Sequence, residues 1–237
     1  RSAEQGEARG MYNLAVCYLD GEGVKMDPKL GKQWMEKAAA KDYVDALEDM
    51  GKTYVYGTFT DKDYRKATKY FLKATEQDSR IAYYYLGEIE YADGNTDKAY
   101  DYYLEAASQG HSAAQSYVGQ YHFIGLGKIS QNHERAFQWF KIAAESGNAD
   151  GQYYLGLCYY KGLGTGENQL KAVEWWEKAA NMGRFSSPFA QIDLGILYEN
   201  GIVYEKNVMK AVEMYKKAAE SDNANAFEAA NGHLERL

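Results

Sequence analysis

The run Gly162-Leu163-Gly164-Thr165-Gly166 is the stretch with the plainest chemical potential. Glycines at this density let backbone N–H groups close on a phosphate, as in dinucleotide and nucleotide-triphosphate loops. That chemistry needs a β-strand before the glycines and a helix opening directly after them. Here the preceding residues read as helix, and the next helix-start signal, Asn168, comes several residues later. The expectation is therefore a loop that ends one helix with residues tolerant of left-handed backbone.

Metal and nucleophile chemistry is poorly supplied. The four histidines, His111, His122, His133 and His233, show no i, i+4 ligand pair and no accompanying Cys-x-x-Cys. His111 reads as a turn residue and His133 as a helix-start residue. Cys17 and Cys158 fall in the same slot of two units four repeats apart. Helices pack about 8–10 Å apart and a disulfide needs Cα atoms within about 7 Å, so the two are expected as buried free thiols. No nucleophile–base pair stands out, which makes hydrolase the weakest function class. No cofactor is implied.

These residues sit in a repeat. Aligned on Leu155-Gly156, a small residue recurs at Ala15, Gly51, Gly87, Gly119, Gly156 and Gly195. An apolar residue precedes each, and five residues upstream lies Gly10, Ala46, Ala82, Ala114, Gly151 or Ala190. A second series of small residues runs Gly31, Ala67, Ala99, Ala136, Ala172 and Ala211. Seven residues later alanine recurs without exception, at Ala38, Ala74, Ala106, Ala143, Ala179 and Ala218. Offsets of 3, 4 and 7 define one helical stripe. Small residues there allow close helix approach, with Trp34, Tyr70, Tyr102, Trp139, Trp175 and Met214, three residues on, expected to fill the adjoining space. Asp27, Asp63, Asn95, Asn132, Asn168 and Asn207 stand four residues before the second series and are expected to cap that helix. Glycines six residues after the first series (Gly21, Gly57, Gly125, Gly162 and Gly201, with Gly94 displaced by one) end the first helix. Each unit thus reads as helix A, loop, capped helix B and short turn.

The bulk properties agree. The chain has 237 residues, 46% of them hydrophobic, with only 2 prolines, as suits helix. Its net charge of −7 argues against nucleic acid as a partner. No apolar run is long enough for a membrane span, so no membrane insertion is expected. The chain starts at Arg1 with neither initiator methionine nor signal pattern, and reads as a processed or excised product.

The pattern resembles the Sel-one-like repeat family, a relative of the tetratricopeptide repeats. Its motif is matched in the first unit by Leu14, Tyr18, Gly21, Gly23, Val24, Asp27, Trp34, Lys37, Ala38 and Ala39. The fifth unit matches with Leu155, Gly156, Tyr159, Gly162, Gly164, Lys171, Ala172, Trp175, Lys178, Ala179 and Ala180. The second unit keeps only Gly57 of the glycine pair, the third lacks the long loop, and the sixth has Met214 for tryptophan. These departures bear on local loop shape rather than on architecture. The resemblance implies an all-α solenoid, a right-handed superhelix of six helix-turn-helix repeats. The expected boundaries are 8–43, 44–79, 80–111, 112–148, 149–185 and 186–223, with a remnant of a preceding repeat at 1–7 and a capping helix at 224–237. Some exported members carry cysteine pairs within each repeat. Their absence here favours a reducing compartment, or a prokaryotic one that does without disulfides.

In the superfamily that the chain resembles, helix A lines a concave face. Protein–protein interaction is therefore the expected function, with a peptide or partner protein as the ligand. Tyr84, Tyr85, Tyr117, Tyr153, Tyr154 and Tyr160 lie on helix A away from the position of Tyr18, Tyr54, Tyr159 and Tyr198, which are expected in the core. Tyrosine suits a binding surface through its area, polar tip and low rotamer entropy. The candidate partner-binding residues are Asn13, Lys52, Tyr85, Glu88, Tyr117, Gln120, Tyr154 and Tyr160. Each of the six tyrosines first named either faces a groove or packs against the neighbouring unit's helix B; on the groove reading Tyr85 and Tyr154 are exposed enough that truncation leaves stability almost unchanged. The alternative is a glycan or peptidoglycan module using the tyrosines as stacking platforms.

Overall fold

The computed structural model describes residues 7–237, apart from the side chain of Arg184, and the notion of a preceding-repeat remnant falls largely outside this range. The described residues form helices and no strand. Two compact units divide the chain, the first ending at His111 and the second running from Ser112 to Leu237. The first holds α1 (Ala8–Asp20), α2 (Pro28–Ala39), α3 (Val44–Tyr56), α4 (Tyr64–Thr75), α5 (Arg80–Ala92) and α6 (Thr96–Ser108). The second holds α7 (Ser112–Ile124), α8 (His133–Glu145), α9 (Ala149–Lys161), α10 (Gln169–Ala180), α11 (Pro188–Asn200), α12 (Val208–Ala218) and α13 (Ala224–Leu234). A short 3-10 turn, Gly183–Phe185, precedes α11. Odd-numbered helices are the A helices and even-numbered ones the B helices. Within each unit every helix packs on its sequence neighbours, as in an all-α solenoid. A helices also meet each other, α3 with α5, α7 with α9 and α11 with α13.

The small residue of helix A exists to receive a large side chain from its own helix B. A Cβ added at Gly51 would fall 2.4 Å from Phe71, at Gly87 2.6 Å from Tyr103, and at Gly119 2.6 Å from Phe140. At Gly156 and Gly195 the obstruction is Trp176 and Tyr215, each at 2.5 Å. The side chains so received stand four residues after the small residue of helix B, not three. Met35, Phe71, Tyr103, Phe140, Trp176 and Tyr215 are all buried. Trp34, Tyr70, Tyr102, Trp139, Trp175 and Met214, one residue earlier, are only half-buried, so the expectation that they fill the close approach is corrected. One position along a helix is about 100° of rotation, which turns these rings to the rim of the interface. There Lys37 and Lys178 lie over the indoles of Trp34 and Trp175 at 4.0 and 3.9 Å.

Five of the six helix-B caps are made. Asp27, Asp63, Asn132, Asn168 and Asn207 accept from the backbone N–H of Leu30, Lys66, Arg135, Lys171 and Lys210 at 2.8–3.0 Å. Asn95 makes no such bond. Its shortened A–B loop leaves it at φ −83° and ψ 63°, and its side-chain amide donates to Glu90 Oε2 at 2.9 Å instead. In every repeat, however, the cap residue's own N–H donates back to helix A. The acceptors are the carbonyls of Tyr18, Tyr54, Glu90, His122, Tyr159 and Tyr198, at 2.7–2.9 Å.

The long A–B loops keep one backbone shape despite the sequence departures. Gly23, Gly127 and Gly164 adopt left-handed φ of 71°, 58° and 69°. Phe59 and Val203 occupy the same slot, at φ 62° and 67°. The missing glycines of the second and sixth units thus leave strain rather than a new loop.

The candidate functional site on the helix-A face

The glycine-rich run comes first. Gly162 is the left-handed C-cap of α9, donating to Cys158 O. Gly164 lies against the start of α8, where an added Cβ would meet His133 O at 2.1 Å. The run follows a helix and precedes α10 by several residues, so its glycines serve chain reversal and a close backbone approach. Burial and the nearby Arg80 guanidinium pull the His111 imidazole down to about 4, which leaves it neutral at physiological pH. Burial pushes the Cys158 thiol up to about 12. Both cysteines are free; Cys158 is buried as expected, whereas Cys17 on α1 is only half-buried, which corrects the expectation for it. Among the described residues no group of three His, Cys, Asp or Glu is placed to hold a metal, and no helix is long and apolar enough to cross a membrane.

In the first unit Lys52, Glu88 and Tyr85 each make polar or aromatic contacts of their own. Asn13 is exposed on α1. Lys52 donates to Asp49 Oδ1 at 3.0 Å, and Tyr12 donates its hydroxyl to the other oxygen, Oδ2, at 2.9 Å. Glu88 accepts from the buried Tyr103 hydroxyl at 2.5 Å, an anchoring role that its position in the repeat did not signal. Tyr85 is half-buried. Its ring stacks on Phe71 at 5.1 Å, and its hydroxyl lies 3.0 Å from that of Tyr56. Burial raises the phenol pKa of Tyr85, and Tyr56 adds to it.

In the second unit Tyr154 repeats this geometry, stacking on Phe140 at 4.8 Å. Tyr160 tilts against Trp176 at 5.3 Å. Tyr117 is half-buried, and Gln120 approaches Ser116 Oγ at 3.5 Å. The expectation that Tyr85 and Tyr154 stand clear of the core is therefore corrected. They lie two residues before the helix-A glycine, and that position faces the helix-B ring of the preceding repeat. Asp193 holds the same position in the sixth repeat. Burial lifts its carboxyl to about 6, against the opposing pull of the Tyr153 hydroxyl and the Lys161 ammonium.

Two recesses open on the units. The larger, of about 660 Å³, is polar and lies at the B-to-A turns of the second unit, between Asn181, Ser186, Lys217 and Glu220. None of the candidate residues lines it. The smaller, of about 220 Å³, lies in the first unit where α3 meets α1 and α2, and Lys52 is on its rim. Met35 and Met50 are its floor, while Leu19, Tyr56 and Phe59 form its walls. Sequence reasoning missed Tyr56 and Phe59. The one sequence signal was a phenylalanine in a slot where three other units carry glycine.

With this geometry in view, the comparisons are direct. The Sel1 repeat pattern matches residues 8–43, 44–79, 80–111, 112–148, 149–183 and 188–223, and the chain belongs to that family. Proteins built on this repeat are generally interaction scaffolds and typically not enzymes. Among solved structures the chain is similar to c5321, a protective antigen of uropathogenic Escherichia coli with the same repeat fold. Identity is 30% and the TM-score 0.77, over 95% of this chain. The match spans 48% of that antigen, about half its length. A Sel1 repeat protein from Oxalobacter formigenes is 26% identical, with a TM-score of 0.81 over 90% of this chain and 85% of the other. The immunity protein Pa5087 from Pseudomonas aeruginosa, at 19% identity and a TM-score of 0.55, covers 89% and 80% and shares the fold.

Proposed function

We propose that the chain is a protein-interaction scaffold that holds a peptide or partner-protein segment on its helix-A face. One observation carries this reading. The helix-A side of the first unit has an apolar recess, and Tyr56 and Phe59 at its wall keep 58% and 54% of their surface in solvent. Two large rings exposed beside an apolar floor are costly on a free surface and favourable once a partner covers them. The stacking of Tyr85 on Phe71 and of Tyr154 on Phe140 gives one face of each ring to the protein, so at most one face of each is left for a sugar to stack on.

Affinity capture from the native source, followed by binding measurements on the isolated partner, tests the reading. Lys52→Glu and Tyr56→Ser should each weaken binding by about tenfold. Lys141→Glu, on an exposed stretch of α8, should leave it unchanged. A captured partner indifferent to both helix-A substitutions, or a saccharide that outcompetes it, overturns the proposal.

A further inference from the structure

The recess of the first unit is specific about what it can hold. Its volume of about 220 Å³ equals roughly seven waters at ~30 Å³ each, the size of one large aliphatic or aromatic side chain. Its floor is apolar and soft, with Met35 4% and Met50 1% exposed. Thioether side chains adapt their shape to an entering group.

One wall is held at a cost to the fold. Phe59 sits at φ 62° in the slot that Gly23, Gly127 and Gly164 fill without strain. The left-handed region costs a residue with a Cβ about 1–2 kcal/mol. Burial does not offset that cost, because the ring is more than half exposed. Val203 carries the same strain in the sixth unit, so what sets Phe59 apart is its exposed ring at the wall of the recess. The other wall, Tyr56, is oriented through its hydroxyl contact with Tyr85.

The rim has a surplus of donors. Asp49 is the one carboxylate in the lining, and both its oxygens are engaged, by Lys52 and by Tyr12. Lys52 keeps further N–H donors. Lys32, the second rim ammonium, lies 3.9 Å from Glu36 Oε1, beyond hydrogen-bond distance. A group entering here meets an apolar floor and, on the rim, two ammonium groups against the single lining carboxylate of Asp49, with Glu36 beside Lys32.

We infer that this recess takes an aliphatic or aromatic side chain followed directly by an aspartate or glutamate, in an extended segment of a partner protein. The inference rests on the interaction reading above and adds the chemistry of the partner at one site. The apolar residue fills the space over Met35 and Met50 between Phe59 and Tyr56, and the acidic residue meets Lys32 and Lys52.

Methyl-¹³C labelling of the methionines in the full chain reads the site directly, because Met35 and Met50 form its floor while Met209 and Met214 lie in the other unit. Acetyl-Leu-Glu-Gly-amide should shift Met35 and Met50 saturably and leave Met209 and Met214 unmoved. Acetyl-Leu-Gln-Gly-amide should bind at least about threefold more weakly, the scale of a solvent-exposed ion pair. The double variant Lys32→Met, Lys52→Met should abolish that difference. Phe59→Gly should raise the melting temperature and yet weaken the glutamate peptide severalfold, so its loss cannot be misfolding. Val203→Gly, which relieves the same strain away from the recess, should raise the melting temperature and leave binding unchanged. Silent Met35 and Met50, equal affinity for the two peptides, or tighter binding of acetyl-Gly-Leu with a free carboxylate would each overturn the inference. If those methyls stay silent while Lys52→Glu still weakens the captured partner, only this inference fails. A captured partner indifferent to the helix-A face removes the reading beneath it.

Discussion

The phenyl ring of Phe71 lies parallel to the phenol ring of Tyr85, with 2° between their planes and 5.1 Å between their centroids. Phe140 and Tyr154 repeat the arrangement at 11° and 4.8 Å. Each pair joins helix B of one repeat to helix A of the next. Half-buried rings in such stacks contribute through area and through geometry. Tyr85→Ala and Tyr154→Ala should therefore each destabilise the fold by about 2–3 kcal/mol in urea melts. Tyr85→Phe keeps the stack and loses only the contact with Tyr56, so it should cost under about 1 kcal/mol. Alanine variants as stable as the parent would show that the stacks carry no load.

Gly156 tests the close approach within a repeat. Its missing Cβ leaves room for the Trp176 indole, which also donates to Tyr153 O at 3.0 Å. Gly156→Ala forces that indole from its place and should cost about 1–3 kcal/mol. Gly166→Ala, where an added Cβ meets nothing within 4 Å, should be neutral by the same measurement.

The caps divide into two groups. Asn168→Ala and Asn207→Ala each leave a first-turn N–H without its partner and should cost about 1 kcal/mol. Asn95→Ala removes no cap and should cost less than half as much. Equal losses at all three positions would mean that the bonds to Lys171 and Lys210 contribute nothing.

Acid should favour the fold at Asp193. Its folded pKa, about 6, lies above the ordinary carboxylate value of 3.8 because burial disfavours the charge. Below the unfolded value both states hold the proton and the site is neutral for stability. As pH rises from about 4 to about 6 the unfolded chain releases the proton first, so stability falls and then levels off. Asp193→Asn should accordingly be more stable than the parent at pH 8, with the gain shrinking toward pH 4 in thermal melts. A gain that is constant across this range would contradict the assignment.

The repeat phase was legible because its signals are local and sixfold. Small residues at fixed offsets, cap residues and loop glycines are each dictated by backbone sterics or by an unsatisfied N–H, and these act within a few residues. Asn95 failed as a cap because capping depends on loop geometry, and the shortened third loop alters it without changing the residue. The role of Tyr85 and Tyr154 was not legible, since whether a helix-A ring faces solvent or a neighbour depends on the stagger of the preceding repeat. The recess was hidden for a related reason. Leu19, Met35, Met50 and Phe59 come from four separate segments, and only packing brings them together. The buried partner of each helix-A glycine could have been found, because a large residue stands four positions after the helix-B small residue in all six units.

The tie between each helix-B cap residue and the end of its helix A has an evolutionary reading. In the third repeat it is closed by Asn95 N–H to Glu90 O, five residues apart, and in the fourth by Asn132 N–H to His122 O, ten apart. The segment between is a clasped ring whose circumference varies while its junction does not. Lengthening such a ring costs entropy only logarithmically, about 0.6 kcal/mol per doubling. The fold therefore offers loops whose length can change while the clasp between helix A and helix B stays closed. The loop holding Gly23, whose surroundings are open, is the natural place to graft a foreign epitope.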